Sequence, residues 1–206
     1  LNLNLAGAVN FENLIGTSEA DTIRGDDGDN ILAGEDGADT IYGGSGNDSI
    51  KADNFLDGDE DEEYDDGGAF WDNDDLYGEA GDDTLFANAG DNILDGGTGS
   101  DTITTGRGSD TIVMRAGDGG SAISDADTIT DFTDGTDVLG LDDGLQYTDL
   151  TIAQGTGSNS NDTIISAGSE YLAILQGIDV SNVNYMDFSS MATGDQSFVG
   201  TTGNDI

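Results

Sequence analysis

Aspartate recurs through this chain in a pattern that suits cation coordination better than acid–base catalysis. In "GEDGADTIYGGSGNDSI", residues 34–50, Asp39 and Asp48 stand nine residues apart, each two residues before an isoleucine and set among glycines. Carboxylates and backbone carbonyls are hard oxygen donors, the set that calcium favours at about six to eight oxygens in irregular geometry. Histidine and cysteine are both absent. That excludes zinc hydrolysis, serine–histidine nucleophiles, disulfides and thiolate metal sites within this chain. A glycosidase would need an acid and a base held across a cleft. Here the aligned acids belong to turns and no other pair stands out, so no catalytic residue is assigned.

The residues that place these acids obey a nine-residue rule. "GTSEADTIR", "GDDGDNILA", "GEDGADTIY" and "GGSGNDSIK" run from Gly16 to Lys51, and "AFWDNDDLY", "GEAGDDTLF", "ANAGDNILD", "GGTGSDTIT" and "TGRGSDTIV" from Ala69 to Val113. In all nine the sixth residue is Asp or Asn and the eighth is Ile or Leu. Each unit divides into a turn and a three-residue strand. Glycines at positions one, two and four admit positive φ, and strand alternation sends the eighth residue to one side. Two units make a flattened coil of eighteen residues. Stacked coils form two parallel sheets over a thin core of Ile23, Leu32, Ile41, Ile50, Leu76, Leu85, Leu94, Ile103 and Ile112. Burial at about 25 cal/mol per Å² does not easily offset the entropy of so many glycines, so cations in the turns are expected to help hold the coils.

Composition agrees. The 206 residues hold 44 acids against 4 basic residues, a net charge of -40, with 33 glycines and no proline. Such charge disfavours compactness unless cations screen or bind it, and it repels nucleic acid. No apolar run approaches the roughly 20 residues that span a bilayer, and "LNLNLAGAVN" shows no signal-peptide pattern. The remaining segments are organised around the repeats. Residues 1–15 read as an opening coil, 16–51 as the first repeat block, 52–68 as an acidic, solvated insertion loop, and 69–113 as the second block. Residues 114–141 read as a closing motif, 142–199 as a β-rich cap, and 200–206 as the start of a further, truncated repeat, as in a piece of a longer protein. Phe70 and Trp71 either cover the roll's apolar edge at the insertion or offer a platform to a sugar ring. Arg107 and Arg115 are expected to offset local negative charge. Tyr147, Leu150, Ile152, Ile164, Ile165, Tyr171, Leu172, Ile174 and Leu175 are expected to form the cap's core and shield strand edges.

The nonapeptides resemble the G-G-x-G-x-D-x-U-x repeat of the RTX (repeats-in-toxin) family, the hemolysin-type calcium-binding repeats. "DTITDFTDGTDVLGL" from Asp127 resembles the motif that closes such arrays. The resemblance implies an all-β fold, a right-handed parallel β-roll (a β-helix solenoid) with a C-terminal strand-rich cap. It also implies several calcium ions, each between turns eighteen residues apart, bound by positions two, four and six of one turn and one, three and six of the next. Mapped here, one ion falls among Thr17, Glu19, Asp21, Gly34, Asp36 and Asp39. A second falls among Asp26, Gly28, Asn30, Gly43, Ser45 and Asp48. In the second block one set is Glu79, Gly81, Asp83, Gly96, Thr98 and Asp101, and another is Asn88, Gly90, Asn92, Thr105, Arg107 and Asp110. A poorer set is Phe70, Asp72, Asp74, Ala87, Ala89 and Asn92, and Asp127, Asp131 and Asp137 are a further candidate in the closing motif. Functionally the resemblance implies a calcium-binding structural module, not itself an enzyme, in a secreted bacterial protein. Such a module leaves the cell unfolded by type I secretion and folds on calcium outside it or at its surface, as a monomer in this fragment. The alternative is a carbohydrate-binding or adhesive module with a polysaccharide or cell-surface partner.

Overall fold

A computed structural model describes residues 2–4, 13–52 and 73–191. Residues 53–72, with most of the insertion and with Phe70, Trp71 and Asp72, and the final "GTTGNDI" lie outside them. Among the described residues there is no α-helix, only strands and single 3-10 turns. In chain order the strands are β1 (Asn2–Asn4), β2 (Asn13–Ile15), β3 (Thr22–Arg24), β4 (Ile31–Ala33), β5 (Thr40–Ser45) and β6 (Ser49–Lys51). Then come β7 (Asp75–Ala80), β8 (Thr84–Phe86), β9 (Ile93–Asp95), β10 (Thr102–Thr104), β11 (Thr111–Met114), β12 (Asp127–Ile129) and β13 (Val138–Leu141). The last four are β14 (Leu150–Gln154), β15 (Thr163–Ala167), β16 (Glu170–Leu175) and β17 (Phe188–Ser190).

Successive strands alternate between two sheets, as the paired nonapeptides require. One sheet runs β1-β3-β5-β7-β9-β11-β13-β17 and the other β14-β15-β16-β12-β10-β8-β6-β4-β2. Within the roll every pairing is parallel and in register, so position eight stacks on position eight. Ile23, Ile41, Leu76, Leu94, Ile112 and Leu139 form one column. Leu14, Leu32, Ile50, Leu85, Ile103, Ile129 and Leu175 form the other. The eighth residues of all nine repeats are at most 1% exposed, each burial contributing about 1.5–3 kcal/mol. Parallel stacking without crossover helices is possible here because each coil returns through its own turns, whose amides also pair coil to coil. Gly25 N–H donates to Tyr42 O at 2.9 Å and Gly81 N–H to Thr98 O at 3.0 Å.

The stack passes the insertion without losing register. Ile41 pairs with Leu76 and Ile50 with Leu85, a step of 35 residues in place of 18. Ala52, read from sequence as part of the insertion, takes position one of the next repeat instead. Gly34 N–H donates to its carbonyl at 2.9 Å, its own N–H donates to Phe86 O at 3.0 Å, and it is fully buried.

The closing motif is a further coil, not a looser connection. Ile129 and Leu139 extend the two core columns, with steps of 26 and 27 residues between aligned acids. Beyond it β16 joins β12 in parallel, while β14–β15–β16 form an antiparallel meander. The tail does not build a separate core: Ile165, Leu172 and Leu175 belong to the roll's own cluster, and Ile164 and Ile174 pack on Ala126. Tyr147 is no core residue; it is 40% exposed and packs edgewise on Phe188.

Two arginines neutralise acids in different settings. Arg24 reaches across two coils to both carboxylate oxygens of Glu79 at 2.8 Å, lying over the Tyr42 ring, but both side chains keep over a quarter of their surface. Arg115 is largely enclosed and binds both oxygens of Asp95, Asp142 at 3.2 Å and Asp118 at 3.5 Å. Asp95 and its hydrogen bonds hold this guanidinium protonated, above its ordinary value. At saturating calcium, Arg115→Met is expected to cost about 3–5 kcal/mol in denaturant unfolding, because Asp95 stays buried without its counter-charge. Arg24→Met is expected to cost about 0–1 kcal/mol.

Candidate metal centre

Each turn carries its sixth residue into the inside of a corner, and the next coil repeats that corner directly below. The backbone N–H of each sixth residue donates to the side-chain oxygen of its counterpart one coil on. Along the first edge Asp21 donates to Asp39 Oδ1 at 2.8 Å, Asp39 to Asp74 at 2.7 Å, Asp74 to Asn92 at 2.9 Å, Asn92 to Asp110 at 2.9 Å and Asp110 to Asp137 at 3.2 Å. Along the second edge Asn30 donates to Asp48 at 2.7 Å, Asp48 to Asp83 at 2.6 Å, Asp83 to Asp101 at 2.8 Å and Asp101 to Asp127 at 2.9 Å. All these side chains are buried. One oxygen of every acceptor in these ladders thus serves the stack.

The other oxygen does not. Oδ2 of Asp48, Asp83, Asp101 and Asp110 is buried with no hydrogen-bond partner, an arrangement that costs free energy unless something else satisfies it. What faces it is a carbonyl across a small void. A Cβ placed on Gly43 would lie 2.4 Å from Asp48 Oδ2 and 2.7 Å from Gly78 O, and one on Gly78 would lie 2.5 Å from Asp83 Oδ2 and 2.4 Å from Gly96 O. One on Gly34 would lie 2.0 Å from Asp39 Oδ2 and 2.6 Å from Ala52 O. Glycine at position one therefore lets an anionic oxygen and a carbonyl converge on the same stretch of backbone, where a Cβ would clash with both, and these hard oxygen donors fit a divalent cation.

Position two sets where that carbonyl points. Glu35, Glu79 and Asn88, with φ of 75°, 74° and 66°, and Gly44, Gly97 and Gly106 lie in the left-handed region. This turns the preceding peptide so that its oxygen faces the coil before. Non-glycine residues adopt that conformation at a cost of about 1–2 kcal/mol, so the turns impose it. Thr17 and Asp26 do not adopt it. Their N–H groups point inward instead, onto Asp21 Oδ2 at 2.6 Å and Asn30 Oδ1 at 2.8 Å.

The sequence-assigned sets are gathered in part. Asp21 with Asp39 and Gly34, Asn30 with Asp48 and Gly43, and Asp83 with Asp101 and Gly96 meet at shared corners. Asn92, Asp110 and Thr105 stack likewise on the first edge. The carbonyls of positions two and three are turned into coil-to-coil hydrogen bonds: Asp26 O accepts from Ser45 at 3.2 Å, Glu79 O from Thr98 at 2.9 Å, Asn88 O from Arg107 at 2.7 Å and Arg107 O from Gly90 at 2.9 Å. The side chains of Asp36, Ser45, Thr98 and Arg107 are exposed, leaving only their backbones near the corners, and Ala89 bridges to Arg107. At position four, Glu19, Gly28, Gly81 and Gly90 lie under Gly37, Gly46, Gly99 and Gly108, so closely that a Cβ on Gly99 would come 1.8 Å from Gly81 O. Phe70 and Asp72 lie outside the described residues, while Asp74 and Ala87 are buried on the first edge.

Asp127, Asp131 and Asp137 do not form one cluster. Asp127 ends the second ladder, whereas Asp131 accepts from Thr105 N–H at 2.9 Å and Gly106 N–H at 2.8 Å, and Asp137 accepts from Thr133 N–H at 2.8 Å as well as from Asp110. The closing coil's lengthened turns divide them between the two edges, Asp127 on the second and Asp131 and Asp137 on the first. Among the described residues no three acidic side chains converge as a metal site, so any ion here needs backbone oxygens beside one or two carboxylates.

Sequence reading missed a second ladder, at position five. Asn47 N–H donates to Asp29 Oδ1 at 2.9 Å, Asp82 N–H to Asn47 at 3.0 Å and Ser100 N–H to Asp82 at 3.0 Å. Asp91 N–H donates to Asn73 at 2.9 Å and Ser109 N–H to Asp91 at 2.8 Å. The signal was present: seven of the nine repeats carry Asp, Asn or Ser there.

Electrostatics sharpen the contrast. Burial pushes Asp48 and Asp110 up to about 6, Asp83 up to about 7 and Asp127 up to about 9, with neighbouring carboxylates adding to the rise and backbone N–H donors opposing it. Without a cation, Asp127 favours the protonated acid at neutral pH and Asp83 is about half protonated, while Asp48 and Asp110 take up their protons just below neutrality.

A family model described as the RTX calcium-binding nonapeptide repeat (4 copies) matches residues 15–50, 68–103 and 86–119. No curated protein matches significantly. Among solved structures, the extracellular lipase LipA from Serratia marcescens aligns over 90% of this chain at 17% identity and a TM-score of 0.42, and the chain spans 42% of that lipase. The AlgE6R3 subunit of the Azotobacter vinelandii mannuronan C5-epimerase aligns over 91% of this chain and 87% of its own at 18% identity and a TM-score of 0.35. The repeats of this chain, residues 15–50 and 68–119, belong to the RTX calcium-binding nonapeptide family.

Proposed function

We propose that this chain is a calcium-folded structural module of a secreted bacterial protein. In this reading calcium is held between a position-six carboxylate and the position-one carbonyl of the following coil: Asp39 with Ala52, Asp48 with Gly78, and Asp83 with Gly96. The observation that carries it is the buried Oδ2 of Asp48 and Asp83, without a hydrogen-bond partner and facing a carbonyl across the space a Cβ would fill. Bound calcium supplies the positive charge that such stacked carboxylates lack, and the chain's own turns supply the alignment. Because unfolded turns form no such corner, metal affinity becomes folding free energy. Support for an extracellular setting is chemical: millimolar calcium is found outside cells, within the range that extracellular calcium modules bind, and a chain without cysteine needs no redox compartment to fold. Any catalytic activity of the parent protein would then lie in residues beyond these repeats.

Chelation is expected to abolish the far-ultraviolet β signal and excess calcium to restore it; a spectrum unmoved by chelator would refute the proposal. Asp83→Asn is expected to weaken calcium affinity about tenfold or more in calorimetric titration, while Asp29→Asn, on the exposed ladder, changes it little.

The pH response has a definite sign. Asp48, Asp83 and Asp110 titrate higher in the folded, metal-free chain than the ordinary value of 3.8, so that state binds more protons than the unfolded chain. Metal-free stability therefore rises as pH falls through about 7 to 4. Calcium affinity moves the opposite way, since protons compete for the same oxygens. Circular dichroism in chelator should show more β-structure at pH 5 than at pH 8, and calcium titrations should show weaker binding at pH 5.

A further inference from the structure

The two edges of the roll differ at position one. On the second edge it is Gly25, Gly43, Gly78 and Gly96; on the first, Gly16 and Gly34 are followed by Ala52, Ala87 and Thr105. Ala87 keeps the backbone path of its glycine counterparts. Its N–H donates to Thr104 O at 3.0 Å, as Gly25 N–H does to Tyr42 O at 2.9 Å, and it is fully buried. Its methyl thus takes the place that stays open at Gly78, where a Cβ would be 2.4 Å and 2.5 Å from two oxygens. The position-six partner at that corner is Asn92, not an acid. Its Oδ1 accepts from Asp74 N–H at 2.9 Å and its Nδ2 donates to Gly90 O at 3.2 Å. Where Asp83 presents a bare carboxylate oxygen, Asn92 presents amide hydrogens. One coil on, Thr105 and Gly106 donate their N–H groups to Asp131, and the Thr105 hydroxyl lies 3.2 Å from the same carboxylate.

We infer that the Ala87 corner holds no calcium, in contrast to the second-edge corners of Asp48 with Gly78 and Asp83 with Gly96. Resting on the calcium reading above, this assigns to Ala87 and Asn92 the role of closing one site with a methyl and an amide. The first edge is joined there by hydrogen bonds that require no ion, so the roll binds fewer calcium ions than its count of nonapeptide pairs implies. The departure lies in two residues, each a single step from the repeat's own pattern.

Native mass spectrometry of the calcium-loaded chain counts the ions. The double variant A87G/N92D reopens the space and restores the second carboxylate oxygen, and is expected to hold one calcium more than the wild type. G78A puts a methyl between Asp83 and Gly96 and is expected to hold one fewer. Gly78 has no positive φ, but a Cβ there would meet Gly96 O at 2.4 Å and the coil must shift to admit it, so the gain variant decides the matter without it. An unchanged ion count in A87G/N92D overturns this inference while leaving the calcium reading intact. A wild-type chain that binds no calcium overturns the calcium reading itself.

Discussion

Everything in this roll follows from stacking like charges at the spacing of β-strands. Coils repeat about 4.8 Å apart, and each brings a buried Asp or Asn to the same corner. Two carboxylates at that distance repel by about 3 kcal/mol at an effective dielectric of 20. A ladder of several cannot be both ionised and bare. It must take up protons, as the upward shifts of Asp83 and Asp127 indicate, or take up cations. The repeats belong to a calcium-binding family, and their corners bring carboxylate and carbonyl oxygens together.

The turn chemistry serves that constraint one position at a time. Position one must be small to leave room beside Oδ2. Position two must be left-handed to aim a carbonyl at the coil before, which is why Glu35 and Glu79 accept a conformation most residues avoid. Position six gives one oxygen to the stack and keeps the other. Position eight then buries an aliphatic side chain in a core only two residues deep. Such a core gains little from each coil, and each coil has contacts mainly with its neighbours, so stability accumulates by nearest-neighbour terms. The corner and the core are coupled because the same backbone N–H groups that align the acids also fix the strand register.

Much of this was legible because the period is rigid. Nine-residue spacing located every large aliphatic core residue of the repeats from Ile23 to Ile112 and passed over the buried Ala33, Ala52 and Ala87. Legibility failed where the period broke. Ile129 and Leu139 continue the columns, but their coils carry additional residues in the turns, so a fixed count passed over them. Ala52 looked like the first residue of a polar loop because alanine at position one departs from the glycine pattern; its place is revealed only by its partners Gly34 and Phe86. The position-five ladder was hidden for another reason. Asp29 and Asp82 are exposed acids in an acidic chain, and only the recurrence of Asp, Asn or Ser at position five sets them apart from solvated carboxylates. Likewise Asp127, Asp131 and Asp137 stand close in sequence, yet the coil sends Asp127 to the second edge and Asp131 and Asp137 to the first.

The closing end resolves the charge problem by other means. Asp95, Asp118 and Asp142 gather there much as the ladder acids do, but the cation among them is the guanidinium of Arg115, part of the chain itself. A covalently attached counter-charge cannot be diluted or chelated, and its planar fork satisfies both Asp95 oxygens at once. The neighbouring corner is similarly independent of any ion, since Asp131 is met by two backbone N–H groups. Strands β12, β13, β16 and β17 then extend both sheets with core residues of their own. The Arg115 cluster and the Asp131 corner thus carry their neutralisation with them, while the corners of Asp48 and Asp83 do not. A parallel coil gains its hydrogen bonds only from a neighbour already in place, so an end that needs no dissociable ion offers a formed edge against which the metal-dependent corners can align.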